Sequence, residues 1–360
     1  MYLVAGLGMT GQSVLRYFAA QGEPCFAFDT RNDLDITALE ACFSQTPFAL
    51  GELPKSWLKQ FDTVVLSPGI AQSEPWVQAL KELGKQVIGD IELFARTVNM
   101  PVIAITGSNG KSTVTTMTGM ALQAAGYQVG VGGNIGEPVL DLLLDENEYD
   151  LYVLELSSFQ LETCYSLSPQ AATVLNISED HMDRYSSMAE YTQVKMNVFT
   201  NTKLAVLPEE FSEQGIVHPV SISRFGLGKS VIQSERDFGV LTQEGGVFLG
   251  RGQQAILAVS EMALQGKHHQ LNALAMMALC QSFQVSAEHF KQVVRSFYGL
   301  PHRAQLLGMF EGVTWVNDSK GTNVGATLTA IETLGEQTKG ALILLLGGVS
   351  KEADFSELLP

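Results

Sequence analysis

Basic residues are scarce in this chain. Lysine and arginine total 22 against 38 aspartates and glutamates, a formal net charge of −16. That balance speaks against nucleic-acid binding, because a phosphate backbone calls for a basic face. A compact anion such as a nucleotide is still admissible, since backbone N–H nests and a few local cations can hold it. Cysteine is sparse too: Cys25, Cys42, Cys164 and Cys280 form no C-x-x-C pair. Neither a zinc knuckle nor a redox motif is indicated, and a reduced, cytoplasmic chain is the simplest expectation. Long apolar runs are absent. The longest near the end, 341–346, is far below the roughly 20 residues that span a bilayer. It reads instead as a buried parallel strand. The opening residues enter a strand with no basic stretch before it, which does not fit a signal peptide. There is no internal repeat and no low-complexity tract.

What the chain does have is a globular balance, with 46% hydrophobic and 17% charged residues over 360 positions. That length allows two or three domains at roughly 100–200 residues each. Strands are expected at 2–5, 25–28 and 63–66, with a helix over 11–21; such alternation implies parallel βαβ units. After a break near 90–100, a strand at 102–105 feeds a glycine-rich loop and a helix over 113–125. Further strands are expected at 151–156 and 172–175, a β-rich stretch over 203–260, and a helix over 271–282. Beyond Leu300-Pro301 a strand at 313–316, a helix over 323–334 and the 341–346 strand begin another βαβ unit.

The strongest motif is Thr106-Gly107-Ser108-Asn109-Gly110-Lys111-Ser112-Thr113, set between an apolar strand and a helix. That is the context of a P-loop. The glycines let backbone N–H groups converge on phosphate oxygens, and the helix N-terminus adds partial positive charge. Lys111 can neutralise the β- and γ-phosphates, and Ser112 can ligate Mg²⁺. Ile105 stands where the usual motif has its first glycine.

A second glycine loop, Gly6-x-Gly8-x-x-Gly11, follows the first strand, and Asp29 ends the next one. Alone it fits a dinucleotide fingerprint, but the device holds any diphosphate. Two loops suggest two nucleotides. Ser67-Pro68-Gly69 falls at the carboxyl edge of the same expected sheet, where ligands bind in open α/β folds. Glu155, closing a strand, is placed to meet Mg²⁺. The run Asn176-Ile177-Ser178-Glu179-Asp180-His181-Met182-Asp183 follows the next strand. By itself, Lys195 reads as a surface lysine on a helix.

Five stretches then occur in the order seen in Mur ligases: the P-loop, Leu154–Glu162 around Glu155-Leu156-Ser157-Ser158-Phe159-Gln160, Glu179–Tyr185, Gly299-Leu300-Pro301-His302-Arg303, and Asn317-Asp318-Ser319-Lys320-Gly321-Thr322-Asn323. The chain resembles that family along its whole length, most of all its D-glutamate-adding branch. The resemblance implies an α/β protein of three domains: a Rossmann-like UDP-substrate-binding domain at 1–91, a central P-loop ATPase-like domain at 92–298, and an incomplete C-terminal Rossmann-like domain at 299–360. It implies ATP-dependent joining of D-glutamate to UDP-N-acetylmuramoyl-L-alanine through an acyl phosphate, in peptidoglycan synthesis and hence cell shape and division. Met9, Thr10, Asp29, Thr30, Arg31, Ser67, Pro68 and Gly69 would bind the UDP part, and Asn134, Ser157 and Gln160 the sugar-peptide part. Gly107 to Thr113, Asn272, Arg303 and Asp318 would hold ATP. Mg²⁺ would be held by Ser112, Glu155, His181 and Lys195, the last carbamylated. Lys111, His181 and Lys195 would be catalytic, and Lys320, Thr322 and Lys351 would lie near the glutamate and the transferred phosphoryl group. A cytoplasmic monomer without membrane or nucleic-acid partners is implied. Two departures stand out. His269 replaces an asparagine expected beside the nucleotide, and family members continue past Pro360, so the third domain is expected to be partial.

Alternatives remain: another amino-acid-adding Mur ligase, a folylpolyglutamate synthase, an NAD-dependent dehydrogenase, or a nucleotide-binding fragment without turnover. The glycine-rich N-terminal loop argues against the folate enzyme, and Gly110-Lys111-Ser112 is left unexplained by a dehydrogenase. Mg-ATP should therefore raise the melting temperature while NAD(H) does not, since a ligand at 100-fold its Kd adds about 2.7 kcal/mol. A thermal shift with NAD(H) and none with Mg-ATP would overturn the reading.

Overall fold

The computed structural model describes residues 1–213, 216, 221–349 and 354–358. The chain divides into two compact units. One is built from Met1–Val102 with Gly130–Ser168, the other from Ile103–Val129 with Pro169–Pro360.

The first unit opens with β1 (Tyr2–Ala5), α1 (Met9–Gln21), β2 (Cys25–Asp29), α2 (Thr37–Cys42), β3 (Phe48–Leu50), β4 (Thr63–Leu66), α3 (Pro75–Glu82), β5 (Gln86–Ile88) and α4 (Asp90–Thr97). The strands pair in parallel in the order β3-β2-β1-β4-β5. The chain moves from β1 to one side and returns for β4 on the other, so the loops after β1 and β4 part at a switch point, where open α/β sheets form a crevice. Every residue of β2, and all but the first of β1 and β4, is buried. Strands covered on both faces read as continuous apolar runs, which is why they were legible beforehand. Phe26 stacks on Trp57 with ring centroids 4.5 Å apart. The glycine loop is tight: a Cβ on Gly11 would lie 1.8 Å from the Gly6 carbonyl oxygen.

The chain continues through β6 (Val102–Thr106), α5 (Lys111–Ala124), β7 (Val129–Gly133), α6 (Val139–Leu144), β8 (Leu151–Glu155) and α7 (Ser158–Leu161). Of these, β8 lies beside β7 in the first unit. The segment after α7 is stitched to the start of α4. The buried Glu92 carboxylate accepts from the Tyr165 and Ser166 N–H groups, the Ser166 hydroxyl and Arg96. Burial opposes its ionisation, yet these donors hold its pKa below the ordinary value. A few residues away, the Gly89 N–H donates to the Thr163 carbonyl.

The second unit adds β9 (Ala171–Val174), α8 (Met188–Met196), β10 (Leu204–Pro208), β11 (Ser221–Phe225), β12 (Phe238–Gln243), β13 (Gly246–Arg251), β14 (Gln254–Ala258), α9 (Lys267–Leu279) and α10 (Ala287–Ser296). Its strands run in the order β14-β13-β12-β11-β10-β9-β6. The pairs from β6 to β12 are parallel, and β12-β13-β14 is an antiparallel meander. Residues 273–279 of α9 are all buried, as expected of a helix apolar all round. Then come β15 (Gln305–Phe310), β16 (Val313–Asn317) and α11 (Val324–Gln337).

One expectation is corrected. Residues 341–346 form no strand, and Ile343 and Leu345 are 79% and 78% exposed. Among the described residues β15 and β16 pair only with each other. An apolar run becomes a parallel strand only beside a ladder partner, and a two-stranded ribbon is marginal by itself.

The glycine loop yields a paired test. Gly11→Ala should lower stability by roughly 2 kcal/mol, the cost of overpacking, because its Cβ meets backbone. Gly8→Ala should leave the ligand-free melting temperature within about a degree or two, since a Cβ at Gly8 meets nothing within 4 Å. Equal melting temperatures for the two variants would show that the loop relaxes freely.

Candidate active site

A cavity of about 520 Å³ opens in the first unit, within the range of small-molecule sites. Met9, Thr10, Asp29, Thr30, Arg31, Ser67, Pro68, Gly69, Asn134, Ser157 and Gln160 all line it. They come from the carboxyl ends of strands, the turns after them and the first turns of the helices that follow, with Met9 and Thr10 opening α1 and Gln160 in α7. Asp29 is the organiser of one wall. Its Oδ2 accepts the Leu7 N–H at 2.8 Å, and Arg31 bridges both oxygens at 2.8 Å. The Arg31 contact, against some desolvation, holds the carboxyl down at about 2. Ser67 donates its hydroxyl to the Gly6 carbonyl at 3.0 Å, tying the β4 loop to the β1 loop.

The opposite wall is set by β7, β8 and α7. A Cβ on Gly133 would stand 2.3 Å from the Glu155 carbonyl oxygen, so only glycine permits this approach. Asn134 donates its amide to Glu155 Oε1 at 2.7 Å. Glu155 Oε2 is buried with no hydrogen-bond partner. Ser157 and Gln160 form a capping box that starts α7, which fixes both side chains at the cavity. Sequence reasoning missed Asp90, which also lines the cavity. No motif marks it; the signal was a lone acid after a strand and a glycine.

The phosphate loop belongs to the second unit. Gly107 has φ 148° and Gly110 φ 82°, conformations that favour glycine. A Cβ on Gly110 would lie 2.9 Å from Asn272 Oδ1. The loop is held from behind: the Ser108 N–H donates to the Asn176 carbonyl, the Asn109 N–H to Asn176 Oδ1, and the Ser108 hydroxyl to the Ser178 carbonyl. Lys111 donates to the Gly107 and Ser108 carbonyls, each at 2.9 Å. Ser112 and Thr113 are buried at the helix start, and Arg303 donates to the Ser112 hydroxyl at 2.7 Å.

Lys195 is not the surface lysine that its helix suggested. It is 2% exposed, donates to the Gly107 carbonyl at 2.9 Å, and lies 4.7 Å from the Tyr191 ring centroid. The buried α8 face faces the P-loop, so its burial follows from tertiary placement that periodicity does not show. His181 takes a left-handed φ of 58°, and its Nε2 lies 3.6 Å from Asp180 Oδ2. Asn323 bonds Asn109 and Asp180, a link the sequence did not suggest.

The two late motifs meet each other. The Ala304 N–H donates to Asp318 Oδ1 at 2.8 Å, and the Lys320 N–H to the His302 carbonyl at 3.1 Å. Burial raises the Asp318 pKa, and the Ala304 bond and Arg303 charge pull it back. His269, in place of the expected asparagine, lies against His268 with ring centroids 3.8 Å apart and the rings tilted; burial pushes its pKa down to about 4. Lys320 and Thr322 are exposed. Lys351 lies outside the described residues.

The Mur ligase middle domain matches residues 105–280, and the MurD-like N-terminal domain of Mur ligases matches residues 1–89. The UDP-N-acetylmuramoylalanine--D-glutamate ligase of Hydrogenovibrio crunogenus is 58% identical over 358 residues, covering 99% of this chain and 80% of that protein. The enzyme of the same description from Legionella pneumophila is 43% identical over 362 residues, with the same coverage. Among solved structures, the UDP-N-acetylmuramate-alanine ligase of Thermotoga maritima aligns with a TM-score of 0.55 at 18% identity, over 93% of this chain and 77% of that one. A UDP-N-acetylmuramate:L-alanyl-gamma-D-glutamyl-meso-diaminopimelate ligase from Neisseria aligns with a TM-score of 0.56 at 16% identity, over 83% and 98%. At that identity the structural likeness speaks to the fold.

The Asp29 cluster sets a pH test. A folded-state pKa near 2, against an ordinary 3.8, gives stability that is full above about pH 4 and is lost as pH falls through 2. Asp29→Asn should therefore be less stable than the parent at pH 6, with the gap narrowing in acid unfolding followed by fluorescence. A gap that stays constant down to pH 2 would mean that the ionised carboxylate contributes nothing.

Proposed function

The chain belongs to the Mur ligase family, and from that premise we propose that it joins D-glutamate to UDP-N-acetylmuramoyl-L-alanine, driven by ATP, as a step of peptidoglycan precursor synthesis. The observation that carries the reading is the pair of separate anion-holding devices on one chain: the glycine-lined cavity of the first unit and the phosphate loop of the second. We keep the division into domains at 1–91, 92–298 and 299–360 as part of the proposal, together with a monomeric, cytoplasmic protein.

A carboxylate does not acylate an amine at neutral pH, because oxide would have to leave. An alanyl carboxylate oxygen attacks the γ-phosphorus of ATP and ADP departs, leaving an acyl phosphate. The glutamate amine then adds to the acyl carbon, and inorganic phosphate leaves from the tetrahedral intermediate. The protein positions the reactants and spreads negative charge. Asp29, Arg31 and the Gly6 to Gly11 turn take the UDP end, and Asn134, Ser157 and Gln160 the sugar-peptide end. Asn134 is aimed by its bond to Glu155. Lys111, with its ammonium already over the loop, exchanges loop carbonyls for phosphate oxygens. Arg303 acts beside the Ser112 hydroxyl. Asn272 and Asp318 serve the nucleoside, and Lys320, Thr322 and Lys351 the glutamate and phosphoryl group.

The residues fit Mg²⁺ by donor chemistry. Ser112 is a hard oxygen donor in the second unit, where His181 and a carbamylated Lys195 would join it; Glu155, the remaining ligand that the resemblance implies, keeps an oxygen without a hydrogen-bond partner in the first unit. No group of three or more His, Cys, Asp or Glu that could hold a metal occurs among the described residues. Mg²⁺ suits such an open set, because it is commonly bound through one or two carboxylates plus substrate phosphates. When bound, it would neutralise charge on the transferring phosphoryl group. A carbamate nitrogen on Lys195 keeps one N–H, so the bond to the Gly107 carbonyl survives while two oxygens are added.

Lys111→Ala should lower amide formation by at least about 100-fold, the scale of removing a charge-stabilising group. Affinity for the UDP-substrate should be unchanged, because its cavity is lined only by residues of the first unit. Calorimetry showing lost UDP-substrate affinity in this variant would join the two sites and sink the assignment.

A further inference from the structure

Asp90 is the one acid on the cavity wall that the reaction above leaves unused. It opens α4 directly after Gly89, is 4% exposed and lines the cavity. Its Oδ2 lies 3.4 Å from the Gln160 amide, a weak contact, while its Oδ1 is buried without a hydrogen-bond partner. Burial pushes the carboxyl up to about 6; Gln160 and the N–H groups of Asp90 and Ile91 pull the other way without outweighing it. A buried carboxylate oxygen lacking a donor is costly to the fold. Such a residue on a cavity wall is the kind of local rule-breaking that binding sites carry.

The chemistry of the missing donor can be narrowed. Asp90 touches Gln160, so it sits on the wall with Asn134 and Ser157 rather than with the Gly6 loop. A diphosphate or a free carboxylate would repel it. The complementary group is an uncharged N–H or O–H. We propose that Asp90 is a substrate-binding residue whose Oδ1 accepts a hydrogen bond from an uncharged N–H or O–H of the sugar-peptide portion of the UDP-substrate. This rests on the UDP-substrate reading of the cavity. Two parts of that substrate offer such a donor: the alanyl amide N–H and the polar hydrogens of the sugar.

The test is calorimetric titration of the whole chain and its Asp90→Leu and Asp90→Asn variants with UDP-N-acetylmuramoyl-L-alanine, UDP-N-acetylmuramate and UDP. Asp90→Leu removes the acceptor while keeping the branch at Cγ, and Asp90→Asn keeps one carbonyl oxygen. For UDP-N-acetylmuramoyl-L-alanine, Asp90→Leu should weaken binding about 10- to 100-fold, the scale of a hydrogen bond to a charged group, and Asp90→Asn should recover part of the loss. UDP should bind all three proteins alike. If the donor is the alanyl N–H, the penalty disappears with UDP-N-acetylmuramate, which lacks it; if it is on the sugar, the penalty persists. The ligand-free melting temperature of Asp90→Leu should be equal to or above the parent, because an unsatisfied buried acid has been removed. Unchanged affinity for UDP-N-acetylmuramoyl-L-alanine, or an equal loss for UDP together with a lower melting temperature, would overturn the assignment. Failure of the parent chain to bind either UDP-sugar would instead bring down the reading of the cavity itself.

Discussion

Two lysines aim at one carbonyl oxygen. The ammonium groups of Lys111 and Lys195 both donate to the Gly107 carbonyl, each at 2.9 Å. Gathering like charges on one acceptor at a helix N-terminus is unfavourable unless an anion binds there or, as proposed for Lys195, carbamylation removes one of them. The rest of the second unit serves that focus. Asn176 and Ser178 brace the loop from the segment after β9, Tyr191 closes over Lys195, and Asn323 reaches Asn109 from far along the chain. Gly107 must be glycine for the same reason: a Cβ there would press on Leu175 and Asn176 at 3.1 to 3.3 Å.

The first unit solves a different problem with the opposite charge. Asp29 ends β2 where a dinucleotide-binding fold would place an acid for a ribose hydroxyl. Here both of its oxygens are engaged by the chain, through the Leu7 N–H and the Arg31 fork. The carboxylate braces the glycine turn and presents a guanidinium to the cavity. That arrangement suits a diphosphate held by a cation, and it makes the dehydrogenase alternative weaker on geometry as well as on motif.

Much of this was legible in the residues and some was not. Strands β1, β2 and β4 are apolar in all but a terminal residue because both faces are covered, so their bounds could be read to within a residue. The P-loop declares itself because phosphate chemistry fixes its spacing. The bond from Arg303 to Ser112 spans 191 residues, and no local pattern encodes it; only the family resemblance brought the two together. Lys195 looked like surface because helix periodicity cannot say which neighbour will cover a face. Residues 341–346 failed the opposite way: their composition is that of a buried strand, and composition cannot supply the partner strand. Asp90 was invisible because a cavity wall is assembled from several turns at once.

The Glu92 carboxylate has a consequence for how this sequence can drift. Four donors from two separated segments converge on it, two of them main-chain N–H groups that only a proline would remove. An exchange of Glu92 for an apolar residue would strand those amides, and compensation at Ser166 or Arg96 could not reach them. The position is therefore held by backbone donors that any residue but proline supplies, while its side-chain partners remain comparatively free to vary. Gly89, whose Cβ would meet the Thr163 hydroxyl at 2.4 Å, is confined in a softer way, since a smaller residue at 163 would make room. Across related chains, invariance at 92 should accompany variation at 96 and 166, and any exchange at 89 should arrive with one at 163.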